Sequence, residues 1–165
     1  MQVYQKKIRH LEIGTIDQNI LRILQVNGRI TNADLAEAVG LSAAACHKRV
    51  KRLEASGVIK EYTAIIDRRA SGYTQSAFVQ ITLDSQDSST IEAFEASVVL
   101  FPQIIECHLM AGDYDYLLHV IVRDAHEYEH LHRDVLTKLP GVARMTSHFA
   151  LRTVRRTSKL PVSTI

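Results

Sequence analysis

Two cysteines in 165 residues are too few for a disulfide framework. Cys46 and Cys107 each lie inside a patterned segment, which points to reduced thiols and a cytoplasmic setting. No apolar run approaches the length needed to cross a bilayer, so no membrane partner is expected. The stretch "MQVYQKKIRHLEIG" lacks an apolar h-region and a small-residue cleavage site, which speaks against a signal peptide. A Gly-rich phosphate loop and a clustering of Ser, His and Asp are missing too. No catalytic residue, metal or cofactor is therefore expected, and the chain does not read as an enzyme. What is present is ordinary: 46% hydrophobic and 23% charged residues, the profile of a soluble globular protein of one domain or two small ones.

The net charge of +2 conceals an asymmetry. Residues 1–69 hold 12 Lys/Arg against 7 Asp/Glu, residues 70–139 hold 3 against 11, and residues 140–165 hold 5 against none. A basic first part followed by an acidic middle suggests two units, the first meeting a polyanion. The last basic stretch, "RTVRRTSKLPVSTI", reads as a solvated tail or as a second such contact.

The first part reads as three short helices. "TIDQNILRILQVNG" places Ile16, Ile20, Ile23 and Leu24 on one face, with Thr15 and Gln18 as a capping box and Gly28 as a left-handed stop. "TNADLAEAVG" starts at Thr31 and Asp34, turns Leu35 and Val39 inward and stops at Gly40. "LSAAACHKRVKRLEASG" starts at Ser42 and ends at Gly57. Two helices joined by a tight glycine turn behind a supporting helix form a helix-turn-helix. On the third helix Cys46, Val50 and Leu53 share an inward sector, with Ala44, His47, Lys48, Lys51 and Arg52 opposite. As the second helix of the turn it is the one that enters a major groove of double-stranded DNA, and small residues Ser42, Ala43, Ala44 and Ala45 at its start allow close approach. A solvated basic face is the plainer alternative. "GVIKEYTAIID" follows, and its β-branched and aromatic residues predict the strand of a wing.

The second part predicts βαββαβ, a ferredoxin-like arrangement. Its strands are "QSAFVQITLD", "QIIECHLMA", "DYLLHVIVR" and "GVARMTSHFALRTV", and its helices "SSTIEAFEASVVL" and "AHEYEHLHRDVLTKL". The fold class is thus α+β, with domains at residues 1–68 and 69–165. Tyr116, Leu118 and Val120 alternate with Leu117 and Ile121, so the middle strands are apolar on both faces. Helices cover one face, and a second copy of the chain is the economical cover for the other.

"HEYEH" at residues 126–130 matches H-E-x-x-H, the zinc-protease pattern. On a helical wheel Tyr128, Leu131, Val135 and Leu139 form the apolar stripe, and His126 and His130 point away from it. A protease buries this pair in a cleft with a third ligand, so the match reads as coincidence. His132, nearer the apolar edge, reads as a packing residue. Cys107 and His108 are strand neighbours and face opposite ways, as Cys46 and His47 do on their helix.

"IDQNILRILQVNGRITNADLAEAVGLS", "KRVKRLEASGVIKEYTAIID", "ECHLMAGDYDYLLHVIVRD" and "LPGV", in this order and spacing, resemble the Lrp/AsnC family of leucine-responsive and asparagine regulators. Two positions depart from that pattern: Ile13-Gly14 stand where Leu-Asp is usual, and Ala43 where a proline would pre-organise the helix start. The resemblance implies a transcription regulator that binds specific DNA sequences, forms dimers that build higher even oligomers, and responds to a small amino acid. It also implies an effector site around "GDYD", between dimers. Asp113 or Asp115 would accept from the effector's ammonium, and the amides of Ala111, Gly112 and Asp113 would hold its carboxylate beside Tyr114. Asp134, Thr146 and Ser147 would come from a neighbouring subunit. On the residues alone "GDYD" is simply a hairpin turn. The alternatives are the same regulator without a ligand and, further off, a metal-dependent enzyme.

Overall fold

The computed structural model describes residues 13–162. They form two compact units, one of the residues up to 65 with those from 155 onward, the other of residues 66–154.

In the first unit, α1 (Thr15–Val26), α2 (Asn32–Ala38) and α3 (Ala43–Ala55) close around Ile20, Leu21, Leu35, Ala36, Cys46 and Leu53. Local chemistry sets most of the ends. Thr31 and Ser42 cap α2 and α3 by accepting from the amides of Asp34 and Ala45. Gly40, at φ 68°, reverses the chain into the left-handed region between these two helices. Asn32 then donates to the Ala43 carbonyl at 2.9 Å, fastening the start of α2 to the start of α3.

Three expectations for this unit are corrected. Thr15 is the first helical residue rather than the cap; Gly14 holds the cap position with no side-chain bond. Gly28 is not left-handed, because the chain already leaves the helix at Asn27 with φ −138° and ψ 88°. The run from Val58 to Asp67 is not a strand. A strand needs a hydrogen-bonding neighbour whatever its propensity, and this run pairs with none among the described residues. Instead Tyr62 donates to Glu54 on α3 at 3.1 Å.

The last strand stops at Phe149, short of the expected Val154, and residues 151–161 are exposed as a solvated tail would be, yet the tail is fastened to α1. Arg22 on α1 donates to the Val162 carbonyl at 3.1 and 2.8 Å, and Gln25 exchanges bonds with both backbone groups of Leu160. Val162 packs on the helical core. A boundary at residue 68 assigns this segment to the second domain; in the structure it belongs to the first unit.

The second unit is the expected βαββαβ: β1 (Gln75–Leu83), α4 (Ser88–Val98), β2 (Ile104–Leu109), β3 (Tyr116–Val122), α5 (Ala125–Asp134) and β4 (Val142–Phe149). The sheet is antiparallel throughout, in the order β2-β3-β1-β4. Ala77, Val79, Ile81 and Leu83 of β1 lie beside Tyr116, Leu118, Val120 and Val122 of β3, all buried against Phe94 and Val98 of α4 and Tyr128 and Leu131 of α5. Gly141, at φ 71°, makes the turn into β4, and a Cβ there would collide with the Thr90 methyl. The helix expected over residues 125–139 ends early, at Asp134. Val135 breaks it with φ −121°, and a 3-10 turn at Leu136–Lys138 follows. That break lets Leu136 and Leu139 both reach the core.

The opposite face of the sheet carries Ser76, Phe78, Gln80 and Thr82 of β1 beside Leu117, His119 and Ile121 of β3. Phe78 stacks on His119 with centroids 4.5 Å apart. No helix covers this face among the described residues.

Candidate functional site

The α3 surface is where sequence and structure diverge most usefully. Ala43, Ala44, His47, Lys48, Lys51 and Arg52 are exposed, as is Ser42 before them. Four of the helix residues are cations, and three of those are already engaged. Asp17 on α1 is buried, and it forms ion pairs with Arg49 at 3.0 Å and with Arg52. Lys51 pairs with Glu54 at 2.9 Å, and this bond holds the Glu54 carboxyl below its ordinary range. Of these four cations, Lys48 alone has no side-chain partner among the described residues. Sequence reasoning missed Arg49 and Asp17. Their signal in the sequence is slight: an acid among apolar positions of α1, which only a basic residue on a packed neighbour explains.

The candidate effector residues are sorted as sharply. Asp115 spends both carboxylate oxygens on the fold: it accepts from the Leu83 amide at 2.7 Å and from Gln86 at 2.7 Å. Its backbone also bonds to Met110 and Ile81, so it pins the turn to the end of β1. Asp113 is exposed at the tip with no side-chain partner among the described residues. The amides of Ala111, Gly112 and Asp113 likewise have no acceptor there. Tyr114 is half-buried.

Thr146 and Ser147 face opposite sides of β4. Register places Thr146 opposite Gln80, on the open face, and Ser147 opposite Val79, on the helix face. The Ser147 hydroxyl accepts there from Tyr128. Asp134 is occupied at the end of α5 by Arg133, and also by His130 and Lys138; the Arg133 bond chiefly lowers its carboxyl pKa.

The H-E-x-x-H segment lies on the outer face of α5, with Tyr128 and Leu131 turned to the core. Its glutamate has another task. Asp124 caps α5 by accepting from the Glu127 amide, and Glu127 reaches back to the Arg123 amide at 2.6 Å. A carboxylate held in a helix cap is not aimed at water on a metal. Among the described residues no three metal-binding side chains converge.

A helix-turn-helix of this form, followed by this sheet order, matches known proteins along its length. A winged helix-turn-helix DNA-binding model matches residues 14–60, and the Lrp/AsnC ligand binding domain matches residues 76–160. The chain belongs to the Lrp/AsnC family. It is 38% identical over 162 residues to the leucine-responsive regulatory proteins of Salmonella typhimurium and Escherichia coli, covering 98% of this chain and 99% of each relative. A transcriptional regulator of Neisseria meningitidis solved as a complex with L-Met superposes with a TM-score of 0.86 at 33% identity, over 90% of this chain and 96% of that one. An AsnC family regulator from Agrobacterium tumefaciens gives 0.86 at 34%, over 90% and 97%.

This Lrp/AsnC protein is therefore a transcription regulator with a DNA-binding unit and a ligand-binding unit, in a family of regulators rather than enzymes. No helix among the described residues is long and apolar enough to cross a membrane.

Proposed function

We propose that this Lrp/AsnC protein is an amino-acid-responsive regulator of cytoplasmic DNA, with α3 in the major groove and the 111–115 turn as the effector contact. On the DNA side, Ser42, Ala43 and Ala44 let the backbone approach, His47 and Lys48 lead into the groove, and Lys51 contributes once Glu54 yields it. Arg52 acts through Asp17, holding α3 on α1.

The observation that carries the effector half is the division of labour between two carboxylates. Asp115 builds the turn, which leaves Asp113 and three exposed residues' amides without an acceptor among the described residues. A zwitterion needs one anionic acceptor for its ammonium and several N–H donors for its carboxylate, and this tip supplies both. That a relative was solved with L-Met supports the choice of ligand class.

The open sheet face supports a homodimer. Phe78, Leu117 and Ile121 are apolar side chains that a second copy would cover, with dimers then joining around the turns. The Phe78→Glu variant, sized by analytical ultracentrifugation, tests this part.

The test of the whole reading is a thermal-shift screen of the purified protein against the twenty amino acids, followed by DNA titrations with any ligand found. A ligand at a hundredfold its Kd adds about 2.7 kcal/mol to the unit that binds it. If no amino acid moves the melting temperature, the assembly size or the DNA affinity, the sensing role fails and an oligomerisation-only domain remains.

A further inference from the structure

The histidine pair on α5 is not a protease site, yet its geometry is that of a chelate. His126 and His130 lie one turn apart, 76% and 49% exposed, with their rings edge to face at 4.4 Å. Their Nε2 atoms converge to 3.1 Å. With metal–nitrogen bonds of about 2.0–2.1 Å, that separation closes on one ion at an N–metal–N angle of about 95–100°, between the square and tetrahedral values.

The far sides of the rings are also furnished. His126 Nδ1 faces Glu129 Oε2 at 3.7 Å, and His130 Nδ1 faces Asp134 Oδ2 at 3.5 Å. With a metal bound, a carboxylate close to the second nitrogen favours the Nδ1–H tautomer, the one that leaves the Nε2 lone pair for the ion. We propose that His126 and His130 form a surface site for one late first-row divalent ion, Cu²⁺, Ni²⁺ or Zn²⁺, oriented by Glu129 and Asp134. The remaining coordination positions are filled by water. Hard ions such as Mg²⁺ are excluded by the nitrogen donors.

Arg133 sets the cost of entry. Its guanidinium donates to His130 Nδ1 at 2.8 Å, which leaves the His130 proton on Nε2, directed at His126. Metal binding moves that proton from Nε2 to Nδ1. Arg133 then gives up the imidazole and keeps its bonds to Glu129 at 2.8 Å and to Asp134 at 3.3 Å. With two protein ligands and a neighbouring cation, the ion exchanges freely and does not support the fold.

The test is calorimetric titration of the untagged full chain with NiCl₂, chosen because Ni²⁺ does not oxidise the free thiols of Cys46 and Cys107. One Ni²⁺ per chain is expected. His126→Ala and His130→Ala should each weaken it at least tenfold with melting unchanged, because both side chains are exposed. Asp134→Asn should weaken it by about tenfold through the second contact sphere. Cu²⁺ bound to the wild type should show two equatorial nitrogens by electron paramagnetic resonance. Absence of Ni²⁺ binding, or binding of equal strength in the two alanine variants, overturns the proposal; DNA binding is unaffected either way.

Discussion

Asp17 of α1 holds two arginines of α3 at once: Arg49 at 3.0 Å through one carboxylate oxygen, and Arg52 through the other. The carboxylate is 1% exposed, whereas the arginines are 36% and 47% exposed. Water can therefore reclaim the arginines but not the acid. The Asp17→Asn variant should lose about 1–3 kcal/mol, the usual cost of breaking a buried charged hydrogen bond whose partner can resolvate. It should also bind non-operator DNA more tightly and with a steeper salt dependence, because two cations are released to the α3 surface. Thermal melts and salt-titrated binding check both parts, and a variant that melts as the wild type does would remove the clamp from the account.

Lys48 and Arg52 should separate, although the sequence presents both as DNA-facing cations. Lys48→Ala is expected to leave stability unchanged and to flatten the slope of log K against log salt by about 0.9, the share of a single phosphate neutralised by one lysine. Arg52→Ala should chiefly lower the melting temperature of the first unit. Equal affinity and slope for Lys48→Ala and wild type would show that another surface meets the phosphates.

The two aspartates of the turn should separate as well. Asp113→Ala should abolish the response to the amino acid found by screening while preserving DNA binding and fold. An effector effect on DNA affinity of roughly five- to a hundredfold is the range at stake. Asp115→Ala leaves the Leu83 amide without its acceptor and should cost about 1–3 kcal/mol, with loss of the response following from a loosened turn. A full ligand effect in Asp113→Ala would reduce that side chain to turn chemistry.

Cys107 offers a pH-dependent readout. It is exposed on the edge strand β2, yet partial desolvation of the thiol, and then the Glu95 carboxylate, push it up to about 11. Since the thiolate is the reactive form, iodoacetamide labelling should be slow at neutral pH. It should still be climbing about tenfold per pH unit between 8 and 10, where an ordinary thiol with a pKa near 8.5 levels off. A plateau by pH 9 would contradict the raised thiol. Cys46, fully buried, should label only on unfolding.

Much of this protein was readable along the chain, because periodicity and caps are local. Ser42 and Thr31 cap their helices whatever lies beyond them, and Ala77, Val79, Ile81 and Leu83 alternate by the pleat of one strand. The helix-turn-helix, the βαββαβ order and the outward turn of His126 and His130 follow from such patterns, and the family resemblance adds what the two units do. Tertiary structure decided which charges are free. A sequence presents Arg49, Arg52, Lys51 and Lys48 alike, but Asp17 lies 32 and 35 residues away from its two partners, and only packing α1 on α3 brings it to them. In the same way, only the meeting of the turn with the end of β1 distinguishes Asp115 from Asp113, and only a neighbouring strand, of which the described residues offer none beside Val58–Asp67, could have made that β-rich run a strand. Propensity belongs to a residue, whereas pairing belongs to two residues, and the second is fixed when distant segments are brought together.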